Sequence, residues 1–248
     1  MTPEPANTPT ASARADRPPR APTAEVERLR ALRTALILRA RVQAAIRRFF
    51  DTQGFLEVET PVRIRAPALE LHINAEPAGA CYLRTSPELH MKRLLAAGYD
   101  RIYQIGPCFR RGEIGPLHHP EYTMLEWYRA EADYRDILED ARGLLAAIGT
   151  AVKDLLPHVP RWLTEPWWVR TVSEAYREWA GWDPADTWDA DRFYLDLIER
   201  IEPALPPDRV AVLIDYPAPA AALARLKPRC PSVAERWELY IGGLEIAN

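Results

Sequence analysis

The stretch from Ile102 to Tyr128 constrains this chain more than any other. Two apolar runs, Ile102 to Phe109 and Tyr122 to Trp127, flank a polar, turn-rich loop at 110–120, which predicts strand, loop, strand. Side chains on a strand alternate between its faces. Leu125 and Trp127 therefore point one way, into a core, while Tyr122, Met124, Glu126 and Tyr128 point the other. A carboxylate beside a phenol in so apolar a strand needs partners, because a lone buried charge is expensive. A cationic ligand would satisfy them; so would a salt bridge to an arginine such as Arg110 or Arg129.

Arg110 ends the first of these strands, where its planar fork could hold a phosphate or carboxylate through two parallel hydrogen bonds. The loop after it gathers Arg111, Glu113, His118, His119 and Glu121. The adjacent histidines raise the idea of a metal, but no third ligand stands at a suitable spacing.

The rest of the chain supplies a frame. From Glu25 to Gln53 the pattern is helical, with Val42, Ile46, Phe49 and Phe50 on one face and Gly54 as a left-handed cap. Phe55 to Pro61 reads as a strand that stops at the proline. Ser86, Pro87 and Glu88 read as a helix start: a capping hydroxyl, a proline at the first helical position, and an acid at the positive end of the dipole. Met91, Leu94 and Leu95 form its buried face, and Gly98 closes it. Helices are expected at 134–154, 171–180 and 190–200, and strands at Val210 to Ile214 and Tyr240 to Ile246. The Trp-rich region from Trp162 to Trp188 is expected to be a packed helical insertion. Residues 1–23, dense in proline, alanine and arginine, read as a disordered tail, leaving 24–248 as the folded domain.

Hydrophobic residues make up 48% of the chain and charged residues 27%, which suits one domain with a sizeable core. A net charge of −3 disfavours a broad electrostatic grip on nucleic acid. No apolar run approaches the ~20 residues that span a bilayer, and no basic start leads an apolar stretch, so a cytoplasmic location is expected. Three scattered cysteines (Cys81, Cys108, Cys230) read as buried, reduced thiols.

Several of these segments, in this order, resemble the class II synthetases of the lysine, aspartate and asparagine group, and within it the lysyl branch. Ala45 to Pro61 resembles motif 1, the helix and strand that end in a fixed proline. TSPELHMKRLLAAG (85–98) is similar to the family's amino-acid-binding helix. FRRGEIGPLHHPEYTMLEWY (109–128) is similar to motif 2, the strand–loop–strand that grips ATP. ELYIGGLEIAN (238–248) resembles the strand carrying the acidic ATP and metal contact. Only a short tail precedes the first helix, where a tRNA synthetase carries an anticodon-binding barrel. The chain therefore looks like the stand-alone elongation factor P (R)-β-lysine ligases, as does the wording TMLEWYRA (123–130).

The resemblance implies an α+β fold, the class II catalytic core of an antiparallel sheet flanked by helices, and a homodimer built on motif 1. It implies that Arg110 bridges the amino acid carboxylate and the α-phosphate of ATP, and is the catalytic group. Glu113, His118, His119, Tyr122, Glu245 and Ile246 would contact ATP, with Tyr122 stacked on adenine and Glu245 near Mg²⁺. Ser86, Pro87, Glu88, Glu126, Tyr128 and Asn248 would hold the substrate, lysine or (R)-β-lysine. The implied reaction is adenylation followed by transfer to a lysine of elongation factor P, with tRNA not expected as acceptor.

Two departures qualify this. The usual acid two places after the motif 2 arginine is Gly112, with Glu113 one place later, and the asparagine before Pro-Glu is His119. The chain also stops at Asn248, before motif 3, which predicts weak or absent turnover by this chain alone and leaves a non-catalytic truncated binding protein, or a lysyl-tRNA synthetase fragment, as the alternative. An aspartyl or asparaginyl relative is disfavoured, because Glu126 and Tyr128 suit a cationic amine. Glu245 and Asn248 should face opposite sides of a regular strand, so a bulge or strand end is needed to bring both to one site.

Overall fold

The computed structural model describes residues 23–67 and 73–248; the disordered tail expected at 1–23 falls almost wholly outside them. The chain divides into two units, the first ending at Ala40 and the second running from Arg41 to Asn248.

In the first unit, helix α1 spans Ala24–Ala31, with Thr23 accepting the Val26 amide proton as its cap. Helix α2 begins at Arg33 and continues to Thr52 in the second unit. The single helix expected over 25–53 is thus two, broken at Leu32, whose amide bonds back to Leu29 in a tighter turn. No residue of α1 is buried, so packing does not hold the register across the break.

The second unit carries two principal sheets. In the first, β1 (Leu56–Glu57) runs parallel to β5 (Arg101–Phe109), and β5 pairs antiparallel along its whole length with β6 (Glu121–Arg129). The strand expected over 55–61 is therefore only two residues long. The predicted alternation of β6 holds: Leu125 and Trp127 turn to the core that contains Phe50, Phe55 and Tyr103. Phe50 of α2 stacks on Tyr103 at 4.6 Å and meets Phe55 edge-on at 5.0 Å, contacts worth about 0.5–1.5 kcal/mol each beyond burial.

The second sheet runs β11 (Leu244–Ala247), β10 (Cys230–Ile241), β8 (Val210–Pro217), β7 (Trp168–Thr171), with β9 (Leu226–Lys227) also on β10. Strand β8 alternates between two cores. Val210 and Val212 face helix α4 (Tyr134–Val152), whereas Ala211 and Leu213 face α5 (Val172–Trp179) and α6 (Ala190–Asp196). A strand covered on both faces must be apolar throughout, which is why it was easy to read. The β7–β8 pair is parallel, so the sheets are mixed rather than purely antiparallel. A small third sheet comprises β2 (Arg63–Ile64), β4 (Cys81–Leu83) and β3 (Pro77–Ala78).

Two expectations are corrected here. The strand expected at 240–246 is a hairpin: β10 and β11 are joined at Gly242 and Gly243, with φ of +61° and +80°. A two-residue Gly-Gly turn with both φ positive matches the twist of paired strands. The Trp-rich segment is not purely helical, since it contributes strand β7, and Trp168, Trp179, Trp182 and Trp188 pack around one core. Of the cysteines, Cys108 is buried but Cys230 is exposed; all three are unpaired thiols.

Candidate active site

The outward face of β6 meets the start of helix α3 (Glu88–Ala96). Ser86 donates to Glu126 Oε1 at 2.6 Å, and the Tyr128 hydroxyl donates to Glu126 Oε2 at 2.9 Å. The salt bridge weighed as an alternative does not form: Arg129 pairs with Asp140 at 2.9 Å, and Arg110 lies 3.9 Å from Glu113. Both oxygens of Glu126 are thus held by hydroxyls rather than by a cation. Burial pushes its carboxyl above the ordinary carboxylate range, and the Glu88 charge adds to this; the Ser86 and Tyr128 bonds and the Arg84 charge pull it back. The Tyr128 phenol is pushed up as well, by burial and then by the charge of Glu126.

Ser86 does more than the predicted cap. Its hydroxyl accepts the Glu88 amide proton at 3.0 Å while donating to Glu126, and the helix itself begins at Glu88, one residue later than expected, with Pro87 as its flanking residue. Glu88 in turn pairs with Lys92 one turn on, at 2.6 Å. The Glu88 carboxylate, itself paired with Lys92, is close enough for its charge to act on Glu126.

At the other end of the hairpin, the Arg110 amide donates to the Pro120 carbonyl at 2.9 Å and closes the loop. The Arg110 guanidinium lies over the Tyr122 ring at 5.3 Å, and its Nε is buried without a hydrogen-bond partner. Tyr122 is tied down by its hydroxyl, which donates to the Thr85 carbonyl at 3.2 Å. Gly112 takes a φ of +81°, a turn that glycine makes without a Cβ clash, and the loop brings Glu113 back toward Arg110. His118 and His119 are exposed on this loop.

The parity problem at the C-terminal strand has a structural answer. The β10–β11 register slips between Leu239 and Tyr240, and Asn248 donates to Glu245 Oε1 at 3.0 Å. The bulge thus brings the two residues together. Glu245 also feels the charges of Glu238, Arg236 and Arg110, so the ends of the two sheets share one electrostatic neighbourhood. Ile246 is exposed on the same strand.

Comparison with known proteins shows the family. Residues 20–248 match the family model described as tRNA synthetases class II (D, K and N). The chain belongs to that family. Among curated relatives, the elongation factor P–(R)-β-lysine ligase of Pasteurella multocida is 35% identical over 86% of this chain and 71% of its own length. The ligase of the same name from Actinobacillus succinogenes is 35% identical over 92% and 73%, and that from Yersinia pestis is 36% identical over 86% and 71%. This is a class II ligase fold, with mixed sheets flanked by helices. Among the described residues, no helix is long and apolar enough to cross a membrane.

The side chains of this class II site fit the nucleotide that the family uses. Arg110 has an unsatisfied buried donor for an oxygen ligand, and Glu245 is a carboxylate that feels the Arg110 charge. A single carboxylate plus phosphate oxygens is a common way to hold Mg²⁺. A cavity of about 280 Å³ lined by Arg142, Trp162 and Trp167 involves none of these residues.

Sequence reasoning missed two buried networks. Glu238 accepts from Tyr216 (2.5 Å), Tyr240 (2.6 Å) and Arg236 (2.6 Å), and Arg236 also donates to the Ala220 carbonyl. A glutamate between Trp237 and Leu239 was the available signal. The other network centres on Arg84, whose only advertisement was Gly106, a lone glycine inside an apolar strand.

Proposed function

We propose that this chain activates lysine or (R)-β-lysine with ATP and transfers the aminoacyl group to a lysine of elongation factor P. The observation that carries this reading is Glu126, a half-buried carboxylate held by two hydroxyls, with a second acid, Glu88, in its electrostatic surroundings. Such a site discriminates in favour of a cationic amine, because a buried carboxylate left without a cation is costly. The names of the curated relatives support the acceptor.

In this reading Ser86, Glu88, Glu126 and Tyr128 hold the substrate amino groups, so that its carboxylate approaches the nucleotide in line with the departing pyrophosphate. Arg110 bridges that carboxylate and the α-phosphate and stabilises the charge that gathers there. Tyr122 stacks on adenine, Glu113, His118, His119 and Ile246 contact the nucleotide, and Glu245 with Asn248 orients it. Mg²⁺ held through Glu245 would neutralise phosphate charge. In the second step the lysine ε-amine of the acceptor attacks the acyl carbon, AMP leaves, and an amide forms. The reaction takes place in the cytoplasm. A homodimer forms through motif 1, Ala45 to Pro61.

The test is ATP–pyrophosphate exchange by the full chain with each amino acid, followed by intact-mass analysis of elongation factor P. Exchange driven by lysine or (R)-β-lysine, and a mass gain of one lysyl group on the factor, are expected. Exchange driven by aspartate, or charging of tRNA in place of the factor, would overturn the reading.

A further inference from the structure

Arg84 is the largest fully buried side chain, at 1% exposure. Its hydrogen bonds go to neutral acceptors: Nε donates to the Pro107 carbonyl at 2.9 Å, and Nη1 to the Thr60 carbonyl at 2.8 Å and the Thr60 hydroxyl at 3.1 Å. A buried guanidinium is costly unless its donors are satisfied, and these bonds use it to fasten the chain. The guanidinium lies on the site face of the β5–β6 hairpin, over Gly106. A Cβ there would stand 2.6 Å from Arg84 Nη2, so glycine makes room for the cation.

The position of Arg84 in the chain shows what it controls. The next residue, Thr85, offers the carbonyl that receives the Tyr122 hydroxyl, and the one after, Ser86, holds Glu126. Arg84 pins the root of this segment to two separate elements, the stretch at Thr60 and strand β5 at Pro107. Its backbone is bonded on both sides too, from its amide to the Val62 carbonyl and from the Phe109 amide to its carbonyl. One side chain therefore fixes the base of the nucleotide ring contact and of the amine contact together.

We propose that Arg84 is a positioning residue for the amine site: its guanidinium, seated on Gly106, anchors residues 84–86 and so holds the Ser86 hydroxyl on Glu126. This rests on the reading of Glu126 as the ammonium partner. The groups facing Glu126 are Ser86 and Arg84 from the 84–86 segment, Glu88 from α3, Tyr128 on its own strand, and Gln104 and Cys108 from β5. Among them Arg84 is the cation that draws the Glu126 carboxyl down, against burial and the Glu88 charge.

The test is a ¹³C NMR titration of the Glu126 carboxyl in the full chain, assigned with Glu126→Gln, in wild type, Arg84→Gln and Gly106→Ala. Loosening the anchor withdraws the Ser86 donor that lowers the Glu126 carboxyl, so a rise of the Glu126 midpoint is expected for Arg84→Gln. Gly106→Ala keeps the charge but pushes it away, so a smaller rise in the same direction is expected. Calorimetry with L-lysine at pH 7 should show affinity falling about tenfold or more in Arg84→Gln, with ATP affinity changing less. A Glu126 midpoint unmoved in a folded Arg84→Gln chain, or in a folded Gly106→Ala chain should Arg84→Gln not fold, overturns the proposal. Failure of wild type to bind lysine while the midpoint still moves refutes the ammonium reading and leaves the anchoring role standing.

Discussion

The Ser86 hydroxyl donates to Glu126 at 2.6 Å and in the same position accepts the Glu88 amide proton at 3.0 Å. One oxygen therefore both starts helix α3 and aims the half-buried acid of β6. Losing it removes a cap and leaves one carboxylate oxygen without its donor. Ser86→Ala is expected to cost about 1–2 kcal/mol of stability and to weaken lysine binding about tenfold. Chemical denaturation and calorimetry on the same sample read the two effects.

Glu126 is expected to act oppositely on stability and on binding. Its folded carboxyl sits above the ordinary value, so its ionisation opposes folding. The penalty is absent below the unfolded carboxylate value, grows as pH rises from there, and is complete above the raised folded one. Glu126→Gln should therefore melt at the same temperature or higher at pH 7, yet lose lysine affinity by about thirtyfold or more. In wild type, lysine affinity should begin to fall, on acidification, at a higher pH than an ordinary glutamate would give. Melting curves of the mutant and calorimetry of wild type across pH check both statements.

Arg110 is expected to matter to chemistry more than to folding, because its Nε lacks a partner and its pairing with Glu113 is long, at 3.9 Å. Arg110→Ala should lower the exchange rate by about 10²–10³-fold, with the melting temperature nearly unchanged. A loss of exchange fully explained by unfolding would count against this role.

The Gly242–Gly243 turn joins β10 to β11, the strand whose bulge brings Asn248 to Glu245. A Cβ at either glycine meets nothing within 4 Å, so substitution there costs backbone strain alone. Gly242→Ala and Gly243→Ala should each cost about 1–2 kcal/mol and weaken Mg²⁺-dependent ATP binding, read by denaturation and by titration with nucleotide.

Much of this was legible in the residues, for reasons the structure makes plain. Strands β5 and β6 announce themselves because one face must be apolar, so Leu125 and Trp127 mark the core and Glu126 and Tyr128 mark the site. Helices α4 and α5 carry capping residues, Asp133 and Thr171, whose chemistry is local. The Arg84 anchor was hidden because its partners, Thr60 and Pro107, lie more than twenty residues away on either side. The hairpin at 242–243 reads as continuous strand in the sequence because Leu239, Tyr240, Ile241, Leu244 and Ile246 form a run interrupted only by two glycines and a glutamate. The break at Leu32 had no glycine or proline to signal it. The two-residue β1 reflects pairing that ends once the chain turns toward Thr60, whose amide bonds to the Gln104 side chain instead of a strand.

The central claim is that Glu126 and its hydroxyl donors form an ammonium pocket, and calorimetric titration of the full chain tests it most directly. L-lysine, (R)-β-lysine and L-aspartate are titrated separately into wild type and Glu126→Gln. The account predicts binding of a lysine-type amine by wild type, none of aspartate, and loss of the amine in Glu126→Gln. Aspartate binding by wild type, or equal lysine binding by the two proteins, would contradict it.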